Sequence, residues 1–206
     1  MSLDLLITSF VTLFVIIDPI GTTPIYVALT SGMSTRERRV VALRAIVIAA
    51  GLMTIFGLTG EALLGVIGIG MPAFRISGGL LLFLIAVDML FEKRTERREK
   101  RSIDAPPDPS VFPLAMPLLA GPGSLATMVL LISQNSGDYA AIAAIHGVML
   151  FVLAIVYMLF RLAGPIERLL GHTGIVVVSR LLGILLAALS VQFVLDGLRD
   201  VGLMSN

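Results

Sequence analysis

The sequence contains no cysteine, only two histidines and few charged residues for its length. The absence of cysteine excludes disulfides, thiolate catalysis and cysteine-ligated metals, and two histidines are too few for a histidine-rich metal site. Charged residues make up 14% of the 206 residues, whereas a soluble domain uses roughly a quarter to cover its surface. We therefore predict no metal, no cofactor and no nucleic-acid partner, and the net charge of +1 adds little.

Hydrophobic residues dominate instead: they make up 57% of the chain and raise its mean hydropathy to +0.99. This composition is typical of an integral membrane protein, which exposes an apolar surface to membrane lipids. An apolar run of about 18 residues or more is long enough to cross a bilayer as a helix. We predict an all-α membrane protein with six transmembrane helices, at 4–29, 40–60, 73–91, 111–133, 139–160 and 179–198.

Basic residues are concentrated on one side of this arrangement. With six spans, the segments after helices 1, 3 and 5 share one side of the membrane, and both termini lie on the other. Thirteen arginines and lysines fall on the first side, whereas only Arg75 and Arg199 fall on the second. Because basic residues are enriched in cytoplasmic segments, both termini are predicted to be extracytoplasmic.

A charged and proline-rich stretch divides the chain into two halves. Residues 92–110 are too polar and too rich in proline to continue a membrane helix, so we predict a charged cytoplasmic linker there. Residues 1–91 and 111–206 would then each contribute three helices to a single transmembrane domain, 1–206. An odd number of helices inverts the second half relative to the first.

The two halves also resemble each other weakly in sequence. Arg75 and Gly78 in the third helix correspond to Arg180 and Gly183 in the sixth, although a later aspartate in each helix aligns only with a gap. Together with the odd helix count, this pattern predicts a 3+3 inverted repeat.

Two of the six runs are interrupted near their centres by prolines, glycines and polar residues. The first interrupted stretch covers Ile16 to Pro24 and the second covers Pro117 to Ser124. Proline removes an amide donor and clashes with the preceding turn, so helices 1 and 4 are predicted to break near the bilayer midplane. Asp18-Pro19 and Gly121-Pro122 are typical of a cap followed by proline at the first helical position. Each break should therefore start a second half-helix, whose N-terminus attracts an anion.

The polar groups and glycines at these breaks are the candidate ligands of a substrate. A carboxylate at the centre of a membrane helix costs on the order of 2.5 to 3.5 kcal/mol to insert, so Asp18 is expected to hold an ammonium group, a cation or a coupled proton. Capping the following half-helix is the structural alternative for Asp18, and hydroxyls can satisfy local carbonyls. The candidate substrate-binding residues are Asp18, Gly21, Thr22, Thr23, Gly121, Gly123, Ser124 and Thr127, and Asp18 is also the candidate for ion coupling.

The interrupted segments resemble the paired signature of a known family. Phe14 to Pro24 and Pro113 to Ser124, with the six spans and the charged central segment, are similar to the MarC family of prokaryotic inner-membrane proteins, which includes the SnatA-type small neutral amino acid transporters. The resemblance implies a secondary transporter of glycine, alanine, serine and threonine in the inner membrane, coupled to a proton or sodium gradient. The carboxylate of such a zwitterion would lie at Gly121 to Ser124 and its ammonium near Asp18.

Other functions stay open at the level of sequence. An intramembrane aspartyl enzyme needs paired acids at one depth, and Asp18 is the only acidic residue near a midplane, so we predict no enzymatic activity. A channel needs a continuous polar stripe, whereas polarity here is concentrated at the two breaks. The alternatives are a channel or exporter for another small polar solute and a membrane scaffold that transports nothing. The sequence makes no prediction of the oligomeric state.

Overall fold

The computed structural model describes residues 3–91 and 108–203, and all side chains in these ranges except those of 164–172 and 175. Every regular element in the described ranges is helical, which confirms the predicted all-α fold. Most of the predicted linker, 92–110, lies outside the described residues. The elements are α1 (Leu3–Ile17), α2 (Pro19–Leu29), α3 (Thr35–Ile67), α4 (Met71–Leu90), α5 (Ser110–Leu119), α6 (Pro122–Ser133), α7 (Tyr139–Arg161) and α8 (Ala163–Asp200).

In the described part of the chain, the helices that are long and apolar enough to cross a membrane number five, or six if α5 and α6 are counted as one bent span. The angle between α5 and α6 is 54°. The chain is therefore a multi-pass integral membrane protein. The five unbent spans are Leu3–Leu29, Thr35–Ile67, Met71–Leu90, Tyr139–Arg161 and Val176–Asp200.

The last helix begins earlier than its predicted span. Hydropathy predicts 179–198, whereas α8 covers Ala163–Asp200. The added residues are more polar, but the only proline among them, Pro165, lies in the first turn, where proline is tolerated. Hydropathy thus identifies only the apolar part of α8. The helix also includes the more polar residues that precede this part.

Local sequence explains where several helices begin and end. The Ser34 hydroxyl accepts a hydrogen bond from the Glu37 amide at 3.3 Å, and the Glu37 carboxylate accepts one from the Ser34 amide at 2.8 Å. This reciprocal pair is a capping box at the start of α3. Gly68 ends α3 with a φ of 81°, a left-handed conformation that glycine adopts without steric cost. Asp138 caps α7 by accepting the Ala140 and Ala141 amides at 3.0 Å each.

Helices α4 and α8 are an antiparallel pair whose backbones touch. A methyl group added at Gly79 would lie 2.8 Å from the Ser190 carbonyl oxygen, and one added at Gly183 would lie 3.3 Å from the Ala86 carbonyl oxygen. Glycine at a membrane helix interface lets two backbones approach closely and gain van der Waals contact. The pair therefore depends on these two residues having no side chain.

The two interrupted helices each lie against a long helix of the other half. Helices α1 and α2 contact α7, whereas α5 and α6 contact α3. Helix α1 also contacts α6 and α8, and its two sides enter two separate apolar clusters. Leu13 and Ile17 pack in one cluster, while Val15 and Ile16 pack in the other. Helix α1 thus packs against both apolar clusters.

The contacts of α6 also establish its direction relative to α1. The spans Leu3–Leu29, Thr35–Ile67 and Met71–Leu90 follow one another through turns that are too short to recross a bilayer, so α4 runs in the same direction as α1 and α2. A methyl group at Gly78, early in α4, would lie 3.2 Å from Leu130, late in α6, while one at Gly123, early in α6, would lie 2.7 Å from Ile85 of α4. Helix α6 is therefore antiparallel to α4, and hence to α1.

We expect Gly79→Ala to destabilise the protein by about 1 to 3 kcal/mol, because the added methyl group would force two backbones apart. Gly51→Ala is the matched control, since a methyl group added there in α3 would have no described atom within 4 Å apart from its chain neighbours and the backbone of its own helix. This control should be neutral or should stabilise the helix by up to about 1 kcal/mol. Thermal unfolding of both variants in detergent measures the difference, and equal unfolding temperatures would contradict the close contact of α4 with α8.

Candidate functional site

The first interruption is a single residue in a left-handed conformation. Asp18 has φ 54° and ψ 65° and separates α1 from α2. Its side chain Oδ1 accepts a hydrogen bond from the Gly21 amide at 3.0 Å, and Pro19 occupies the first position of α2. Proline disfavours the helical conformation of the residue before it, and aspartate is among the few residues that tolerate the left-handed region. The Asp-Pro pair therefore ends one helix and caps the next.

Gly21 makes the capping geometry possible. A methyl group added at Gly21 would overlap the carboxylate of Asp18, and its closest contact would be with Oδ2. Asp18 is 2% exposed, and its carboxylate lies directly against this glycine. We infer that the space over Gly21 is filled by the acid in this conformation and is not open to a ligand.

The threonines that follow satisfy their hydroxyls within the helix. The Thr22 hydroxyl donates to the Asp18 carbonyl oxygen at 2.9 Å, and the Thr23 hydroxyl donates to the Pro19 carbonyl oxygen at 2.8 Å. Both side chains are buried. Such bonds between a hydroxyl and the carbonyl four residues earlier are the local alternative to ligand binding. Each hydroxyl oxygen still has lone pairs that can accept a hydrogen bond.

The second interruption is longer and more irregular than the first. Phe112 and Met116 in α5 have extended backbone angles, as expected for residues that precede proline. The Ala120 amide donates to the Ala115 carbonyl oxygen at 2.8 Å, which spans five residues and closes a π-helical turn. Gly121 then turns the chain by 54° into α6.

The N-terminus of α6 has no side-chain cap. Gly121 is the capping residue, Pro122 follows it, and the first backbone bond of the helix runs from the Leu125 amide to the Gly121 carbonyl oxygen at 3.0 Å. The amides of Gly123 and Ser124 lie ahead of that bond, at the positive end of the helix dipole. The two breaks therefore differ, because α2 is capped by its own carboxylate whereas α6 receives no such charge.

Both glycines of the second break are covered by protein. A methyl group at Gly121 would overlap the Pro117 carbonyl oxygen. A methyl group at Gly123 would lie 2.7 Å from Ile85 and 3.2 Å from Leu82, both in α4. These glycines admit close approach, as expected, but the groups that approach them here belong to the protein.

The structure brings the two breaks together through one close contact. A methyl group at Gly123 would lie 3.8 Å from Ile16 Cγ2, which joins the end of α1 to the start of α6. Helix α2 packs on α7 and α8. All eight predicted site residues are buried; they are Asp18, Gly21, Thr22, Thr23, Gly121, Gly123, Ser124 and Thr127.

A groove of about 420 Å³ opens beside the second break, between α3, α4 and α6. It reaches Pro122 and Leu125 of α6 and is otherwise lined by apolar side chains and Ser77, whose hydroxyl donates to the Phe74 carbonyl oxygen at 2.9 Å. A groove of this chemistry suits lipid chains and does not suit a charged solute. The polar groups of the two breaks lie away from it, enclosed by protein.

Two further hydroxyls belong to this region and were missed by sequence reasoning. Ser9 and Thr12 in α1 are both fully buried. The Thr12 hydroxyl donates to the Thr8 carbonyl oxygen at 2.7 Å, whereas the Ser9 hydroxyl has no hydrogen-bond partner. The signal in the sequence is slight, because a single serine or threonine barely changes the hydropathy of a membrane helix.

Sequence comparison assigns the chain to a family. A family model described as "MarC family integral membrane protein" matches residues 3–201. The chain belongs to the MarC family. It is 39% identical to a UPF0056 membrane protein of Archaeoglobus fulgidus and 39% identical to one of Aquifex aeolicus, in each case over 96% of this chain and 94% of the relative. It is 33% identical to the UPF0056 membrane protein YhcE of Escherichia coli, over 93% of this chain and 91% of the relative. No solved structure matches the chain.

The chemistry available to this MarC protein at the two breaks is limited to oxygen ligands and amides. Among the described residues, no cluster of three histidines or acids is able to hold a metal ion. Among the side chains that the structure describes, Asp18 carries the only buried carboxylate. The site therefore combines one acid, several hydroxyls and one uncapped helix N-terminus.

We expect Asp18→Asn and Asp18→Ala to differ in stability. Asparagine tolerates the left-handed conformation and can accept the Gly21 amide through its side-chain oxygen, so the free energy of unfolding should change little. Alanine loses both features, and we expect it to cost about 1 to 3 kcal/mol. Thermal unfolding in detergent measures both changes. Equal destabilisation of the two variants would contradict the capping role.

Proposed function

We propose that this MarC protein is a secondary transporter of small neutral amino acids in the prokaryotic inner membrane, coupled to a proton or sodium gradient. The observation that carries the proposal is Asp18, an acidic residue that is 2% exposed and that interrupts a 27-residue apolar span. An ionisable residue within a membrane helix is costly, by about 2.5 to 3.5 kcal/mol, and is functional by default. Asparagine would tolerate the same left-handed conformation and cap α2 without a charge, so capping alone does not explain the acid.

The two breaks differ in charge, and this difference favours a zwitterionic substrate. Asp18 supplies a negative charge, which suits an ammonium group or the coupled cation. The amides of Gly123 and Ser124 lie at the uncapped N-terminus of α6, which suits a carboxylate. Half-helix N-termini that point at the substrate carboxylate are a recurring device of secondary transporters.

The covered glycines favour a small substrate. Ile85 and Leu82 of α4 fill the space over Gly123, and the carboxylate of Asp18 fills the space over Gly21. A solute between α1 and α6 must displace or share this space, and little of it remains for a side chain. Glycine, alanine, serine and threonine meet that restriction better than larger amino acids.

The contacts of α4 with α8 support the proposed 3+3 inverted repeat. The buried positions Gly79, Leu82, Ala86 and Met89 of α4 have the same spacing as Gly183, Leu186, Ser190 and Phe193 of α8. The contact is also reciprocal, because Gly79 faces the carbonyl of Ser190 while Gly183 faces the carbonyl of Ala86. A two-fold axis between equivalent helices produces this reciprocity. The contacts favour pairing Gly79 with Gly183, one residue away from the pairing of Gly78 with Gly183 predicted from sequence.

We expect Asp18→Asn to abolish alanine transport, or to uncouple it from the ion gradient, because the charge is lost while the cap is kept. The measurement is uptake of labelled alanine by proteoliposomes under imposed proton and sodium gradients, applied separately. Asp138→Asn is the matched control, since Asp138 also caps a helix but is exposed, and its uptake should equal that of the unaltered protein.

Coupled alanine uptake by Asp18→Asn at the unaltered rate would remove Asp18 from the mechanism. If the unaltered protein takes up no glycine, alanine, serine or threonine under either gradient, the proposed substrate class is wrong. In that case, counterflow of other small polar solutes tests the alternative transporter or channel. If no solute is transported, the membrane scaffold is the remaining alternative.

The proposed orientation puts both termini outside the cytoplasm. Because the sequence has no cysteine, single cysteines can report on it without background. We expect Ser2→Cys and Asn206→Cys to react in intact cells with a membrane-impermeant thiol reagent. Ser102→Cys, in the predicted cytoplasmic linker, should react only after permeabilisation. The reverse pattern would invert the proposed topology.

A further inference from the structure

Several hydroxyls in the described helices donate to a backbone carbonyl three or four residues earlier. Thr12, Thr22, Thr23, Thr30 and Thr59 all donate to the carbonyl four residues before them, at 2.7 to 2.9 Å. This bond is the usual way for a hydroxyl to be satisfied inside a membrane helix.

Ser9 and Thr127 depart from that rule. Both side chains are fully buried, and neither hydroxyl has a hydrogen-bond partner among the residues that the structure describes. A third unpartnered hydroxyl, that of Ser110, lies at the start of α5, outside the contact of α1 with α6. A buried polar group without a partner is unfavourable, so it is kept only where something offsets its cost.

The positions of Ser9 and Thr127 are related by the packing of α1 against α6. Ile16 and Gly123 are in contact, and the two helices are antiparallel. Thr12 lies one turn before Ile16, and Thr127 lies one turn after Gly123, so each is on the same helix face as the residue that makes the contact. Because the helices are antiparallel, Thr12 and Thr127 lie on the same side of that contact. Ser9 lies one turn further along α1. The three hydroxyls therefore share the interface of α1 with α6, on the side of Asp18 towards the N-terminus of the chain.

We infer that Ser9, Thr12 and Thr127 form a polar subsite between α1 and α6, which binds the charged groups of the solute on its way between the N-terminal side of the membrane and Asp18. This inference rests on the proposed transport function. The residues are closed over in the present conformation, and they become accessible when α1 and α6 separate. The subsite extends the solute path beyond the breaks themselves.

The donor set favours a small zwitterion over a bare cation. A hydroxyl that ligates a cation through its lone pairs can still donate its proton to the carbonyl four residues earlier. Thr127 makes no such bond, so both its proton and its lone pairs are available. A solute that carries both an ammonium group and a carboxylate satisfies both functions of the hydroxyl.

Single cysteines test the subsite directly, since cysteine closely matches serine in size and the chain contains none. We expect Ser9→Cys and Thr127→Cys to react with a membrane-impermeant thiosulfonate applied from the side of the N-terminus. Saturating alanine should slow both reactions several-fold. Ser190→Cys is the matched control, because Ser190 is equally buried in α8 and donates to the Ala187 carbonyl oxygen. It should not react, and each variant is checked for monodisperse folding in detergent.

Two results would overturn the subsite. If neither Ser9→Cys nor Thr127→Cys reacts while the unaltered protein transports alanine, the hydroxyls do not line the path, although the proposed function stands. If both react at rates that no small zwitterion alters, they line a path that the amino acid does not occupy.

Thr127→Val provides a second readout that separates function from packing. Valine matches threonine in shape and removes an unpaired hydroxyl, so a purely structural role predicts equal or higher thermal stability with unchanged transport. The subsite predicts equal or higher stability together with a several-fold rise in the KM for alanine. Unchanged KM in Thr127→Val would overturn the inference.

Discussion

Lipid provides no hydrogen bonds, and the structure of this protein depends on how each polar group inside its apolar spans is satisfied. The first break satisfies itself: Asp18 caps α2, and Thr22 and Thr23 return their hydroxyls to carbonyls of the same segment. The second break lacks such a cap, because Gly121 has no side chain and the first turn of α6 contains no acidic residue. The same requirement thus produces two chemically unequal helix ends.

The packing of the remaining helices separates a close pair from a looser contact. Helices α4 and α8 meet backbone to backbone at Gly79 and Gly183, a contact that any larger side chain would open. Helices α1 and α6 meet through Ile16 and Gly123, beside hydroxyls without partners. Separating α1 from α6 would therefore break fewer close packing contacts than separating α4 from α8.

Some of these features can be predicted from sequence because their causes are local. The cap at Asp18 follows from the next residue being proline, and the irregular backbone of α5 follows from its prolines at 113 and 117. Other features depend on a neighbour that sequence does not identify. Gly123 is predicted to contact the substrate, but Ile85 of α4 covers it, and the buried hydroxyl of Ser9 gives no signal in hydropathy.

The sequence by itself determined the membrane class, the approximate spans, the positions of the two breaks and the family, because transfer free energies and backbone preferences act over a few adjacent residues. Only the tertiary structure decided that Gly79 faces the carbonyl of Ser190, that Ile16 contacts Gly123, and that the Thr127 hydroxyl is buried without a hydrogen-bond partner among the described residues. Those facts depend on which faces of distant helices come together. The packing of all the helices together determines which faces are in contact, so no single segment of the sequence predicts these contacts.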